Sequence, residues 1–487
     1  MKKKLSRLIS EIEIEEIIGT TDKNVVSLES DSRKAVKDGI FVAVRGVTTD
    51  GHKYIPVVAS NHVAAIVCEE FPSSYEKGIT YIRVKNSAKA LGELASAWYD
   101  HPSEKLKLVG VTGTNGKTTT ATLLYELAKL EGYKAGLLST VCNYIHTTAI
   151  PTTHTTPDPL TLNSLLNDMV EAGCDYAFME VSSHSTEQHR VAGLHFAGGI
   201  FSNLTRDHLD YHGTVDNYLK AKKKFFDMLP QGAFALINAD DKNGSVMVQN
   251  SKAKVYTYSL RTNADFRCKV LENRLDGTLL MLNDKEIEVQ FTGKFNAYNL
   301  TAVYGAAILT GFPPEEVLVN MSRLVPVSGR FQTMHSPTGF TAIVDYAHTP
   351  DALVNVLDTI RDIVGADGEI ITVVGAGGNR DQGKRPLMAH EAAIRSNRLI
   401  LTSDNPRYEN PETIIEEMKA GLNTDELRQT LCISNRSEAI RTACQLAHPG
   451  SVILVAGKGH ETYQEIEGVR HHFDDKEVIQ EVFDTLK

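Results

Sequence analysis

The run Thr112 to Thr119, TGTNGKTT, collects the residue types that hold a polyphosphate. Glycines let a backbone curl until its N–H groups face phosphate oxygens, a lysine adds a point charge, and the hydroxyl after it can bind Mg²⁺. Here those parts are Gly113, Gly116, Lys117 and Thr118. The usual phosphate-loop spacing would put its first glycine at 111; this chain has Val111 there and its earlier glycine at 113. A lone glycine-rich match can equally be a turn that caps a helix. An apolar run before it, leucines at 123, 124, 127 and 130 after it and an intact Gly-Lys-Thr favour a nucleotide loop between a strand and a helix.

A second segment, CDYAFMEVSSH, reads as a buried strand ending in Glu180. A carboxylate at that place can hold Mg²⁺ or its water shell beside a phosphate loop. It is followed by NLTRDHLDYHGT, with His208 and His212 four apart and Asp207 and Asp210 nearby. By itself that stretch is either a metal-binding pair or a polar loop.

In LTSDNPRYENP, Arg407 follows a strand end and a turn-forming Asn405-Pro406. A guanidinium fork held there suits a carboxylate and repels an ammonium, so it can tell an amino acid whose side chain ends in a carboxylate from one that ends in an amine alone.

The elements that must position these residues follow from patterning. Residues 1 to about 100 show short apolar runs between turns and close with the helical AKALGELASAWYD. After Gly329 four apolar strands recur (TAIVDYAHTPD, IITVVGAGGNRDQGKR, LILTSDNPR, SVILVAGKGHE), each ending in a polar loop. In an open parallel sheet such loops converge on one crevice at the carboxyl ends of the strands. At 487 residues one core is too few, and three α/β domains are expected, at 1–102, 103–328 and 329–487.

The net charge of -10 argues against a nucleic-acid binder. Six scattered cysteines without a CxxC pair suggest neither a zinc knuckle nor a disulfide framework. The basic start MKKKLSR runs into Glu11, Glu13, Glu15 and Glu16, where a secretion signal would be apolar. No apolar run approaches the roughly 18 residues that cross a bilayer. A cytoplasmic protein is expected, without membrane partners.

Taken in order, TGTNGKTT, MEVSSH, TRDHLDYHG, Gly329-Arg330, DYAHTPD and DNPR resemble the Mur ligase family of peptidoglycan precursor synthesis over nearly the whole chain. The resemblance implies an N-terminal domain for a UDP-sugar, a central ATPase with a parallel sheet and a C-terminal Rossmann-like domain for the incoming amino acid. It implies ATP contacts at Gly113, Thr114, Asn115, Gly116, Lys117, Thr118, Thr119, Asn299 and Arg330, and Mg²⁺ ligands at Thr118, Glu180 and His208. It also implies a CO₂-carbamylated lysine, which alignment of NYLKAKKKFFD places at Lys222, a further metal and catalytic group. Without the resemblance, Lys220, Lys222, Lys223 and Lys224 read as a solvated basic helix face.

The resemblance assigns the muramoyl dipeptide to Ser32, Thr155, Thr156, Ser182, Gln188 and Arg190, with His154 where relatives can carry Asn. The amino acid falls to Arg380, Asp404, Asn405, Pro406, Arg407, Gly457 and Glu461. The implied substrates are ATP, UDP-N-acetylmuramoyl-L-alanyl-D-glutamate and meso-diaminopimelate, and a monomer is expected. Alternatives are a lysine-adding muramyl ligase, which Arg407 disfavours, and a folylpolyglutamate synthetase-like ligase, which shares the GTNGK loop. Outside these ligases stand a non-catalytic nucleotide-binding module and a P-loop kinase.

Overall fold

The computed structural model describes residues 2–46, 49–152 and 154–486. Among the described residues three large sheets, one after another along the chain, carry three α/β layers, and two further sheets have two strands each. In the first, the strands Leu28–Glu29, Ile40–Val42, Ala65–Cys68 and Thr80–Arg83 run parallel, and Glu16–Ile18 closes the edge antiparallel. The helix predicted from AKALGELASAWYD is Ser87–Trp98, capped by the Asn86 side chain on the N–H of Lys89. It packs against the central helix Pro159–Glu171, and Asn86 meets His189 at 3.1 Å.

The central sheet has eleven strands. Its middle is parallel and holds Ala135–Leu138, Tyr176–Glu180, Lys107–Thr112, Gly198–Phe201, Phe234–Asn238 and Lys254–Ser259 in that order. Alternate residues face opposite layers, as a pleated strand requires. Val109, Val111 and Phe178 join one core with the helix Lys117–Leu130, while Leu108, Ala177 and Met179 join another with Pro159–Glu171 and Val215–Asp227. An antiparallel extension through Phe266–Arg274, Gly277–Leu282 and Lys285–Val289, absent from the sequence reading, lengthens one side.

The four C-terminal strands expected from the repeating pattern are Thr341–Asp345, Ile370–Val374, Arg398–Leu401 and Val452–Ala456, all parallel. Two more were not anticipated: antiparallel Gln332–His335 at one edge and parallel Thr430–Cys432 at the other. The second is only three residues long and largely exposed, so it lacks an apolar signature. Ile370 and Val374 face helices Pro350–Val364 and Lys384–Arg395; Ile371 and Val373 face Arg436–Leu446 and Asp475–Thr485. Burial on both faces explains why these strands read as continuous apolar runs. Beneath this sheet Arg436 and Asp475, both wholly buried, pair through two 2.7 Å hydrogen bonds, and Arg436 also donates to the Ala456 carbonyl at 3.0 Å. All six cysteines are free thiols, and no helix among the described residues is long and apolar enough to cross a membrane.

Candidate functional site

The loop after Lys107–Thr112 turns on two glycines at positive φ, Gly113 (+147°) and Gly116 (+86°), and the helix starts at Lys117. A Cβ at Gly113 would overlap the Ser202 hydroxyl, and one at Gly116 would overlap the Asn299 side-chain oxygen. The loop therefore needs glycine for conformation and for room alike. Lys117 Nζ donates to the carbonyls of Gly113 (3.0 Å) and Thr114 (2.8 Å). Burial lowers its pKa, against the opposing pull of Glu180 and Asp207. Because the first turn of the helix also presents unpaired N–H groups, this end attracts an anion.

Lys222 is not on a solvated face. It is about 1% exposed, and its Nζ lies 2.7 Å from the Gly113 carbonyl and 4.5 Å from the Tyr218 ring centre. Its neighbours spend their charge locally: Lys220 on Asp216, Lys223 on Asp227, Lys224 on Glu187. Burial first, then Lys117, hold the Lys222 pKa well below its ordinary value. Burial thus sets Lys222 apart from Lys220 and Lys224, and Lys223, the other buried lysine of the helix, differs in keeping its ion pair with Asp227.

Thr118, Glu180, His208 and Lys222 line a single cleft of about 1800 Å³. Glu180 ends its strand buried and accepts from the Thr140 N–H at 2.7 Å. His208 sits at φ +53° with Asp207 3.4 Å away and the His184 ring edge-on at 4.9 Å. Desolvation lowers its pKa to about 3, so the imidazole is neutral at pH 7. A hydroxyl, a carboxylate and a neutral imidazole are a donor set that suits a divalent cation. No group of three His, Cys, Asp or Glu forms a ready-made metal cage among the described residues.

Beside this centre lie Thr155, Thr156, Ser182 and Arg190. Thr155 accepts from the Thr140 hydroxyl (3.0 Å), Thr156 donates to the Glu180 carbonyl (2.9 Å), and Arg190 donates to the Thr156 carbonyl (2.8 Å). Gln188 does not line the cleft; its Oε1 accepts from Arg190 Nε and Nη2 and so aims that guanidinium. Ser32 lies in the turn after Leu28–Glu29, also outside the lining, as is Gly113, whose part is played by its carbonyl and its turn.

The C-terminal loops supply the opposite wall: Arg380, Asp404, Asn405, Arg407, Gly457 and Glu461. Pro406 is buried behind it, its carbonyl against Gly378. Asn405 is locked, accepting from Lys458 Nζ (3.1 Å) and the Glu465 N–H (2.9 Å) while donating to Glu461 (2.7 Å). Burial, then Asp404, raise the Glu461 pKa. Arg407 donates to the Gly378 carbonyl at 2.8 Å, with Glu465 3.7 Å from its Nε. Links between the walls include an exposed pair, Lys294 with Asp362 at 3.3 Å, and two deeper contacts. Arg330, stacked on Tyr346 at 4.5 Å, reaches the Thr118 hydroxyl at 3.3 Å, and Asn115 Nδ2 donates to Asp351 at 3.0 Å.

Sequence reasoning passed over Asp207, His348, Lys384 and Lys458 as site residues. The cleft wall includes the first three, and Lys458 is buried against Asn405. His348 and Lys458 stand within the quoted DYAHTPD and GKGHE loops, so convergence of the strand ends was the signal that could have found them.

Comparisons with known proteins point to one family. Residues 24–99 match the description Mur ligase family, catalytic domain; 111–307 match Mur ligase middle domain; and 329–459 match Mur ligase, glutamate ligase domain. The chain is 62% identical to a UDP-N-acetylmuramoyl-L-alanyl-D-glutamate--2,6-diaminopimelate ligase of Parabacteroides distasonis, over 99% of both chains. It is 60% identical to the protein of the same name from Bacteroides fragilis, again over 99% of both. A solved structure described as a ligase of that name superposes with a TM-score of 0.70 at 33% identity, covering 100% of this chain and 99% of the other. With such identity sustained from end to end, the chain belongs to the Mur ligase family.

Proposed function

We propose that this protein is an ATP-dependent ligase that joins meso-diaminopimelate to the D-glutamate γ-carboxylate of UDP-N-acetylmuramoyl-L-alanyl-D-glutamate in the cytoplasm, working as a monomer. The observation that carries the proposal is the single cleft in which the Lys117 loop faces the Arg407 loop. The full-length relatives named for this substrate pair support it. Domain limits of 1–102, 103–328 and 329–487 divide the work among UDP-sugar, ATP and amino acid.

The γ-carboxylate attacks the γ-phosphorus of ATP, and ADP leaves, giving an acyl phosphate. The amine then attacks the acyl carbon, and the tetrahedral intermediate expels phosphate to leave an amide. Lys117 and the N–H groups of its loop stabilise phosphate charge, while Asn299 and Arg330 hold the nucleotide from the side. Arg190, with Thr155, Thr156 and Ser182, orients the dipeptide, and Ser32 contacts the UDP-sugar. Thr118, Glu180, His208 and a carbamylated Lys222 would hold Mg²⁺, which neutralises phosphate charge. Carbamylation turns the buried lysine into an anion fit for that role. Glu461 takes the distal ammonium of the amino acid and Arg407 its distal carboxylate, with Arg380 beside them.

The test is phosphate release by purified protein given ATP, the UDP-dipeptide and either meso-diaminopimelate or L-lysine, with Lys117→Ala as control. Release that depends on diaminopimelate and is lost in the control by roughly 10²- to 10³-fold is expected. Equal use of lysine refutes the amino-acid assignment, and full activity of the control refutes the phosphate loop.

A further inference from the structure

Arg407 is held from two sides: its backbone bonds to Glu465 (3.0 Å) and Glu467 (2.6 Å), with the Glu465 carboxylate 3.7 Å from Nε, while its guanidinium end rests on a segment behind the cleft wall. Its φ of +51° is the left-handed region, uncommon for a residue with a Cβ, so neighbours must hold the loop. Its guanidinium lies across the segment that follows Ile370–Val374: Nη1 donates to the Gly378 carbonyl, and a Cβ on Gly377 would sit 3.0 Å from that nitrogen. Wherever residues 377–379 go, the guanidinium goes with them.

That segment is fixed by an ion pair. The Arg385 side chain is 0% exposed and forks onto Glu409, with Nη1 2.9 Å from Oε2 and Nη2 3.0 Å from Oε1. Nη1 also reaches Glu417 at 2.5 Å, and Nη2 donates to the Gly377 carbonyl at 3.2 Å. Glu409 in turn accepts from the Asn379 N–H. Two further bonds close the circuit between the loops, Gly378 N–H to the Asn405 carbonyl (2.9 Å) and Tyr408 N–H to Asn379 Oδ1 (3.2 Å). A bidentate arginine–carboxylate pair fixes both distance and plane, which a lysine could not do.

We propose that the Arg385–Glu409 pair positions Arg407 and thereby sets the preference for an amino acid that carries a distal carboxylate. Neither member lines the cleft, so both act through Arg407 and not on substrate. The inference rests on the role given to Arg407 above.

The experiment compares wild type with Glu409→Gln, Arg385→Lys, Arg407→Ala and the double variant Arg407→Ala/Glu409→Gln. Expected for Glu409→Gln is a KM for meso-diaminopimelate raised at least about tenfold, with KM for ATP and for the UDP-dipeptide within about twofold of wild type. The kcat/KM preference over L-lysine falls by a similar factor, and Arg385→Lys, which keeps the charge without the fork, lies between. In the Arg407→Ala background Glu409→Gln has no further effect, the non-additivity of residues acting in series. An unchanged preference, a uniform loss for all three substrates, or additive effects in the double variant overturn the proposal. A crystal structure of Glu409→Gln decides it independently of substrate: residues 377–379 and the Arg407 guanidinium bonded to the Gly378 carbonyl leave their wild-type positions, and an unmoved guanidinium overturns the proposal. Failure of wild type to use diaminopimelate counts against the functional reading alone, since the crystallographic result still stands.

Discussion

Burial sets the protonation of the groups in this cleft more than pairing does. Desolvation lowers the His348 pKa to about 4, helped by Lys384, and that of His460 to about 3, helped by Arg330. A folded pKa below the unfolded value near 6.5 means that the unfolded chain takes up protons first. The two imidazoles therefore stabilise the fold above pH 6.5, and that contribution is lost as pH falls through 6.5 toward 4. In a His348→Gln/His460→Gln variant the fall of Tm between pH 7 and pH 5 should be shallower than in wild type; parallel slopes would contradict the assignment. Lys222 follows the same logic with a chemical outcome, because burial and then Lys117 lower its pKa and so favour the neutral amine, the form that combines with CO₂. With ¹³C-bicarbonate, a carbamate signal should appear in the NMR spectrum of wild type and be absent from Lys222→Arg; the same signal in both would place the modification elsewhere. Lys222 also marks what sequence could not say on its own. Four lysines in five positions look alike until the helix is seen to bury Lys222 beside the Gly113 carbonyl and Lys223 beside Asp227, whereas the place of Lys117 and Arg407 on loops of the cleft was legible from the residues beside them.

Strand, loop and helix around Lys117 form the element to which the proposed function assigns ATP. It was legible because glycine, lysine and threonine leave few alternatives at that spacing, even with Val111 in place of the usual glycine. Gly113→Ala should fail for two reasons, a φ of +147° and overlap with Ser202. The expected outcome is a loss of about 1–3 kcal/mol of stability, with ATP binding by calorimetry abolished. Wild-type affinity in a folded variant would show that the loop adapts. The C-terminal strands were legible by the same physics, since burial on both faces writes unbroken apolar runs. Thr430–Cys432 and the antiparallel extension through Phe266–Arg274 were not, being short or exposed on one face.

Across the whole molecule, the two walls of the cleft sit on separate units, so their distance apart is a property of how the units meet. Asn115 to Asp351 and Thr118 to Arg330 tie the phosphate loop to the C-terminal unit. Such links are invisible in sequence, where the partners stand more than two hundred residues apart. Asp351→Ala removes one of them, and the variant should show a larger radius of gyration in X-ray scattering and a KM for ATP raised several-fold. An unchanged scattering curve would mean that the remaining contacts hold the units together. The Arg436–Asp475 pair gives the final helix a further duty. Cutting the chain before Asp475, or unseating that helix with a bulky fusion, would strand a guanidinium directly beneath Ala456 and Gly457 at a cost of about 3–5 kcal/mol. Unseating the helix Asp475–Thr485 would therefore be felt at the Gly457 wall of the cleft, which Arg436 anchors from behind.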